Sequence, residues 1–115
     1  MSSDKSATEV LAISARRDGE RVVITLVGEL DYHGADRLGV VLRNALIAPV
    51  DSVEVDASGL TFVDSSGLRS IVLARATTHD IGATFRVGAA SLVVKRVIEV
   101  AGLAGVLLET DPGPT

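Results

Sequence analysis

The chain has no cysteine and no tryptophan, and its aromatic residues are Tyr32, Phe62 and Phe85 alone. Without cysteine there is no disulfide framework, no thiolate zinc site and no cysteine nucleophile, which fits a cytoplasmic protein with no need of oxidising conditions. Two separated histidines, His33 and His79, and scattered carboxylates form no ligand cluster at coordination spacing, so no metal and no cofactor are expected. So few aromatics offer little for bases to stack on, and a formal net charge of -4 opposes phosphate neutralisation. Nucleic acid is therefore not an expected partner. No apolar run approaches the roughly 18 residues of a spanning helix. The opening Met1-Ser2-Ser3-Asp4-Lys5-Ser6 lacks the basic and apolar regions of a secretory signal, and no membrane association is expected.

What is present is one domain's worth of core: 115 residues, 47% of them apolar. Residues 1–8 are Ser-rich and charged, and Asp111-Pro112-Gly113-Pro114-Thr115 cannot continue a helix or strand. Both are expected to be disordered tails around a domain spanning residues 9–110. Leu11, Ile13 and Ala15 alternate with polar neighbours up to the turn dipeptide Asp18-Gly19, and Val22 to Val27 follow as a second strand, which predicts a hairpin. Leu38, Val41, Leu42, Ala45 and Leu46 then form a helical stripe that ends near Pro49.

Val53, Val55 and Ala57 alternate as a short strand, and a second helix is expected from about Ser65, burying Leu68, Ile71, Val72 and Ala76. Ala83 to Val87 supplies another strand. Ser91 is placed to cap a third helix with the stripe Val94, Val97, Ile98 and Ala101, and Gly102 stands where a C-terminal glycine cap belongs. Val106-Leu107-Leu108 is expected as a last strand. The predicted order is β-β-α-β-α-β-α-β, an α/β domain with helices packed on a mixed sheet.

The most unusual stretch is Leu60-Thr61-Phe62-Val63-Asp64-Ser65-Ser66-Gly67-Leu68, which sets an acid and two hydroxyls at a strand-to-helix junction. Capping of the helix by Asp64 or Ser65 is the commonest role of such residues. Capping leaves the paired hydroxyls unexplained. Followed by Gly67, which keeps the neighbouring backbone open to a partner, they are expected to be reachable. A phosphate there would meet unpaired N–H groups and the positive end of the helix dipole, so the site has the makings of a switch.

On these residues the chain resembles the anti-sigma factor antagonists built on the STAS domain. Gly28-Glu29-Leu30-Asp31 is similar to the family's segment after the second strand, and Leu60 to Leu68 to its phosphorylation loop. Val94-Lys95-Arg96-Val97 with Ala101-Gly102-Leu103 is similar to its third helix and following turn, so the likeness runs from about Val10 to Leu108. The resemblance implies that Ser65 is the phosphorylated residue, with Ser66 its neighbour. It implies that Asp31, Asp64, Ser65, Ser66 and Gly67 face the partner.

In that family the unphosphorylated form binds an anti-sigma factor with serine kinase activity and frees a bacterial sigma factor, and a PP2C-type phosphatase resets the cycle. The resemblance thus implies a transcription regulator acting by partner switching, and no enzyme activity. Two departures stand out. Tyr32-His33-Gly34 follows Asp31 where members commonly place Thr or Asn, and the family's C-terminal helix is expected to be missing or reduced.

Three other functions are readable from the residues. An esterase would use Ser65 or Ser66 with His33 or His79, but no Gly-x-Ser-x-Gly elbow is present and the domain is small for a deep pocket. A phosphoacceptor Asp56 lacks both the early acidic pair that would hold Mg²⁺ and a late strand lysine. A STAS module acting as a scaffold or accessory subunit, with no phosphorylation cycle, is the principal alternative.

Residues 1–8 carry no apolar periodicity with which to dock on a sheet. Their removal is expected to leave the melting temperature and partner binding unchanged, and a large drop on thermal denaturation of the truncated chain would refute this.

Overall fold

The computed structural model describes residues 10–108. The expected tails 1–8 and 111–115 lie outside the described residues. Strands β1 (Leu11–Asp18) and β2 (Arg21–Leu30) form the predicted hairpin through Gly19-Glu20, with Asp18 opposite Arg21 and Leu11 opposite Gly28. Then follow α1 (Tyr32–Ala45), β3 (Ser52–Val63), α2 (Ser65–Asp80), β4 (Thr84–Ala90) and α3 (Leu92–Val100). The sheet order is β1-β2-β3-β4, antiparallel in the first pair and parallel in the other two. It is the predicted α/β class, with a mixed four-stranded sheet.

One element differs from expectation. Val106-Leu107-Leu108 is not a strand: Ala104–Leu107 forms a short helix, α4. The cause lies just upstream, where Gly102 takes a left-handed φ of 78° and Leu103 N–H donates to the Ile98 carbonyl at 3.0 Å, closing α3 with the expected glycine cap. The chain re-enters a helical turn at once, with Leu107 N–H on Leu103 O and Leu108 N–H on Ala104 O, both 2.9 Å. That single turn satisfies its own backbone and buries Leu107. A run of three apolar residues has no period that separates strand from helix. The order within the described residues is therefore β-β-α-β-α-β-α-α.

Alternation sets the core. Val22, Ile24 and Leu26 of β2, Val53, Val55 and Ala57 of β3, and Phe85 and Val87 of β4 are buried, and Leu38 and Leu42 of α1 belong to the same cluster. Helix α2 turns a different face inward than predicted. Ile71 is buried, but Leu68 and Val72 are half-buried and Ala76 is exposed, while Gly67, Ser70, Ala74 and Thr78 face inward. Small side chains let α2 lie close to its neighbours, and the two hydroxyls bond to their own helix, Ser70 Oγ to Gly67 O at 2.7 Å and Thr78 Oγ1 to Ala74 O at 2.8 Å. In α3, Val94 and Ile98 are buried as predicted, whereas Ala101 is exposed at the cap.

Strand β3 is longer than the alternation of Val53 to Ala57 suggests, because it runs on to Val63. Its pairing with β2 shifts twice: Thr25 pairs with Asp56 but Val27 with Gly59, and Gly28 pairs with Leu60 but Glu29 with Phe62. Each shift adds one residue to β3, which is the mark of a β-bulge. Ser58 lies in the first, its N–H and hydroxyl both donating to Asp56 Oδ1, at 3.0 and 2.6 Å. Thr61 lies in the second, its hydroxyl donating to Gly28 O at 3.2 Å.

Ile71 is the large apolar anchor of α2 in this core. Ile71→Ala is expected to cost about 2–5 kcal/mol in urea unfolding, whereas Ala76→Ser on the exposed face should change stability by less than about 0.5 kcal/mol.

Candidate functional site

The two bulges bring β2 and β3 to a common end, with Leu30 paired to Val63. The next residue on each strand is an aspartate, and each aspartate caps a helix. Asp31 Oδ1 accepts the N–H groups of His33 at 2.9 Å and Gly34 at 3.3 Å at the start of α1. Asp64 Oδ1 accepts the Gly67 N–H at 2.7 Å at the start of α2. Parallel register thus sets the two strand-to-helix junctions side by side. They are joined directly, since Asp64 N–H donates to Leu30 O at 3.3 Å.

Gly67 is buried at this seam. A side-chain Cβ there would lie 2.1 Å from the Leu30 carbonyl oxygen and 2.9 Å from its carbon, so only glycine admits the approach of α2 to the end of β2. The glycine of the Asp-Ser-Ser-Gly motif therefore serves packing within the domain. It does not open the backbone to the outside, as the sequence suggested.

Ser65 is the first residue of α2 and is exposed; Ser66 is half-buried. The first four N–H groups of a helix have no acceptor inside it. In α2 the Asp64 N–H goes to Leu30 O and the Gly67 N–H to the Asp64 carboxylate. Those of Ser65 and Ser66 are left at the positive end of the helix, beside the exposed Ser65 hydroxyl. A cleft of about 230 Å³ opens next to them between α1 and α2, lined by Tyr32, Asp36, Ser66, Arg69 and Leu73 among others. Unpaired N–H groups at a helix start are donors of the kind that favour negative charge.

All five residues expected at the partner face, Asp31, Asp64, Ser65, Ser66 and Gly67, are gathered at this one end of the sheet, four of them with some exposure and Gly67 beneath. Sequence inspection missed that Asp31 is a helix cap. The signal was present, because an aspartate directly before a helical stripe is an N-terminus signature.

The other candidates stand apart. His79 is near the far end of the 16-residue α2, about 20 Å from Ser65 along the axis. His33 is at the near end but faces Tyr32 edge-on, with ring centroids 5.5 Å apart. Asp56 is held by both donors of Ser58, which lower its pKa from the usual carboxylate value. Its contribution to stability is thus present above the ordinary carboxylate pKa and lost as pH falls through the lowered one. Among the described residues no group of three or more His, Asp or Glu is placed to hold a metal ion, and no helix is long and apolar enough to cross a membrane.

Because the Leu30 carbonyl cannot move without disturbing β2, Gly67→Ala is expected to destabilise the domain by about 1–3 kcal/mol, and Ser66→Ala by less than about 0.5 kcal/mol. Denaturant unfolding followed by circular dichroism measures both; equal stabilities would mean that α2 does not depend on this contact.

The chain is similar to solved structures of anti-sigma factor antagonists. For SpoIIAA in its unphosphorylated form the identity is 23%, with 88% of this chain and 90% of that one covered and a TM-score of 0.73. For the Bacillus cell fate determinant SpoIIAA in its phosphorylated form the identity is 22%, the coverages are 88% and 93%, and the TM-score is 0.67. An anti-sigma factor antagonist from Mycobacterium paratuberculosis matches at 20% identity over 84% of this chain and 82% of that one, with a TM-score of 0.69. These likenesses establish the fold. The family model described as "Mlab, STAS domain" matches residues 13–109, nearly all of the described chain, and the protein belongs to the STAS domain family.

Proposed function

We propose that this chain is an anti-sigma factor antagonist whose unphosphorylated form binds an anti-sigma factor with serine kinase activity, releasing a bacterial sigma factor. Phosphorylation of Ser65 switches it off, and a PP2C-type phosphatase resets it. The observation that carries this reading is the exposed Ser65 hydroxyl at the first position of α2, on a junction already built by two capping aspartates. That SpoIIAA, of the same fold, is known in unphosphorylated and phosphorylated forms supports it. The chain works in the cytoplasm as a binding regulator, with neither nucleic acid nor membrane as a partner. The covalent chemistry belongs to the kinase and the phosphatase, not to this domain.

Physically, the switch acts at the interface. Asp31, Asp64, Ser65 and Ser66 present the contact surface, and Gly67 holds it in place from below. A phosphate adds about 1.5 to 2 negative charges next to Asp64, which opposes it, while the free N–H groups and dipole of α2 favour it. The fold is therefore expected to change little in stability. The partner, shaped around a neutral hydroxyl, must instead accommodate a hydrated dianion, and a loss of about 3 kcal/mol weakens binding roughly a hundredfold.

A second reading, a STAS scaffold or accessory subunit with no phosphorylation cycle, draws on one feature of the geometry. Asp64 and Gly67 have structural roles that need no phosphate, so only the exposed hydroxyl itself speaks for modification. Incubation with a candidate cognate kinase and ATP, followed by intact-mass measurement, separates the two.

Ser65→Ala is expected to keep tight partner binding and escape phosphorylation, Ser65→Asp to bind roughly a hundredfold more weakly, and Ser66→Ala still to be phosphorylated. Titration calorimetry on each variant and peptide mapping of the phosphate provide the test. A phosphate on Ser66, or equal affinity of the phosphorylated and unmodified forms, would overturn the mechanism.

A further inference from the structure

Arg69 stands one helical turn beyond Ser65 on α2, and both residues are exposed. Residues four apart on a helix have Cβ atoms about 5–6 Å from one another on the same face, within reach of an arginine side chain. Three of the other arginines are committed elsewhere. Arg17 donates to the carbonyls of Gly19, Ala45 and Pro49, Arg37 to Leu11 O, and Arg21 pairs with Glu54 at 3.0 Å. Arg69 makes no hydrogen bond or ion pair among the described residues, yet it lines the cleft that Ser66, Tyr32 and Asp36 share beside the switch serine.

We propose that Arg69 is the domain's own receiver for the Ser65 phosphate, folding back along α2 to hold it as a charge-assisted pair. This rests on the reading that Ser65 is the modified residue. The chain direction suits it, because an anion placed four residues before a cation on a helix is the favourable order with respect to the dipole. Guanidinium also matches phosphate in planar, two-bond geometry, which a lysine at the same place does not. Other charged or titratable groups at this end are Asp64 and Asp31 at the caps, Asp36, His33 and Tyr32 on α1, and the phosphate's own neighbour Ser66. The three carboxylates repel the phosphate, and Arg69 adds a full positive charge to the partial ones that the helix start offers. Asp36 lines the same cleft but forms no ion pair with Arg69, which leaves the guanidinium available to the phosphate.

Two consequences follow for regulation. Phosphorylation withdraws a free cation from the surface a partner meets, while adding negative charge to it. A clamped phosphate is also less available to the phosphatase, which lengthens the lifetime of the switched-off form.

The experiment places phosphoserine at position 65 during translation, so that it does not depend on any kinase. The second ionisation of the phosphate is then followed by phosphorus NMR against pH in the full chain. Arg69→Gln is expected to raise that pKa by about half a unit, because an adjacent cation favours the dianion; Arg69→Lys should fall between, and 0.5 M salt should shrink the difference. Removal of the phosphate by a PP2C-type phosphatase should be severalfold faster in Arg69→Gln than in the unaltered chain. Superimposable titration curves for the three proteins would overturn the proposal, as would a difference that salt leaves untouched. Circular dichroism of each variant confirms that an exposed substitution has left the helix intact. Failure of a kinase to modify Ser65 in the unaltered chain would count against the functional reading alone and leave this titration unaffected.

Discussion

The Leu30 carbonyl is where the domain is tied together. It ends β2, accepts the Asp64 N–H at the close of β3, and lies against the Cα of Gly67 in the first turn of α2. Three elements meet at one backbone oxygen, and the missing side chain at residue 67 is what permits it. Because the contact is backbone to backbone, it fixes the start of α2 relative to the sheet without depending on any rotamer. The exposed serine two residues before Gly67 inherits that precision.

Around this tie the electrostatics are balanced locally. Two helices begin at the same end of a parallel strand pair, so two positive dipole ends lie close together, and each carries an aspartate that satisfies its own first-turn donors. In α2 the donors left over belong to Ser65 and Ser66. In α/β sheets the carboxyl ends of parallel strands are where ligands are bound. Here that end presents Ser65 on the surface, with the cleft between α1 and α2 beside it.

Much of this was legible in the amino-acid order. The hairpin, the three main helices and the three parallel-paired strands follow from apolar periodicity and from caps such as Ser91, whose hydroxyl accepts the Val94 N–H. What escaped was decided by tertiary contact. The inward face of α2 is built from Gly67, Ser70, Ala74 and Thr78, small or polar residues that no hydrophobic stripe reveals, since their value lies in close approach and in hydroxyls returned to the helix backbone. Val106-Leu107-Leu108 has strand composition, but the chain leaves the Gly102 cap directly into a helical turn, in which the Leu107 and Leu108 N–H groups donate to the Leu103 and Ala104 carbonyls. At the candidate site the residue types were visible and their adjacency was not. That Asp31 and Asp64, 33 positions apart, share one corner depends on register, which the sequence of either strand does not state.

The two bulges of β3 carry that register. Thr25 to Leu30 is matched by Asp56 to Val63, so the longer strand loses its surplus in two places, one bridged by Ser58 and the other by Thr61. The strand thereby behaves as a vernier: two unequal lengths of chain are made to finish on the same mark. A one-residue deletion between Asp56 and Val63 would shift α2 by a whole pleat, turning Asp64 away from Leu30 and Gly67 out of the seam. A deletion in the surface link between α1 and β3 would leave both ends where they are. The tolerance of this small domain to changes in length is thus set by a strand, at the two places where Ser58 and Thr61 take up its surplus.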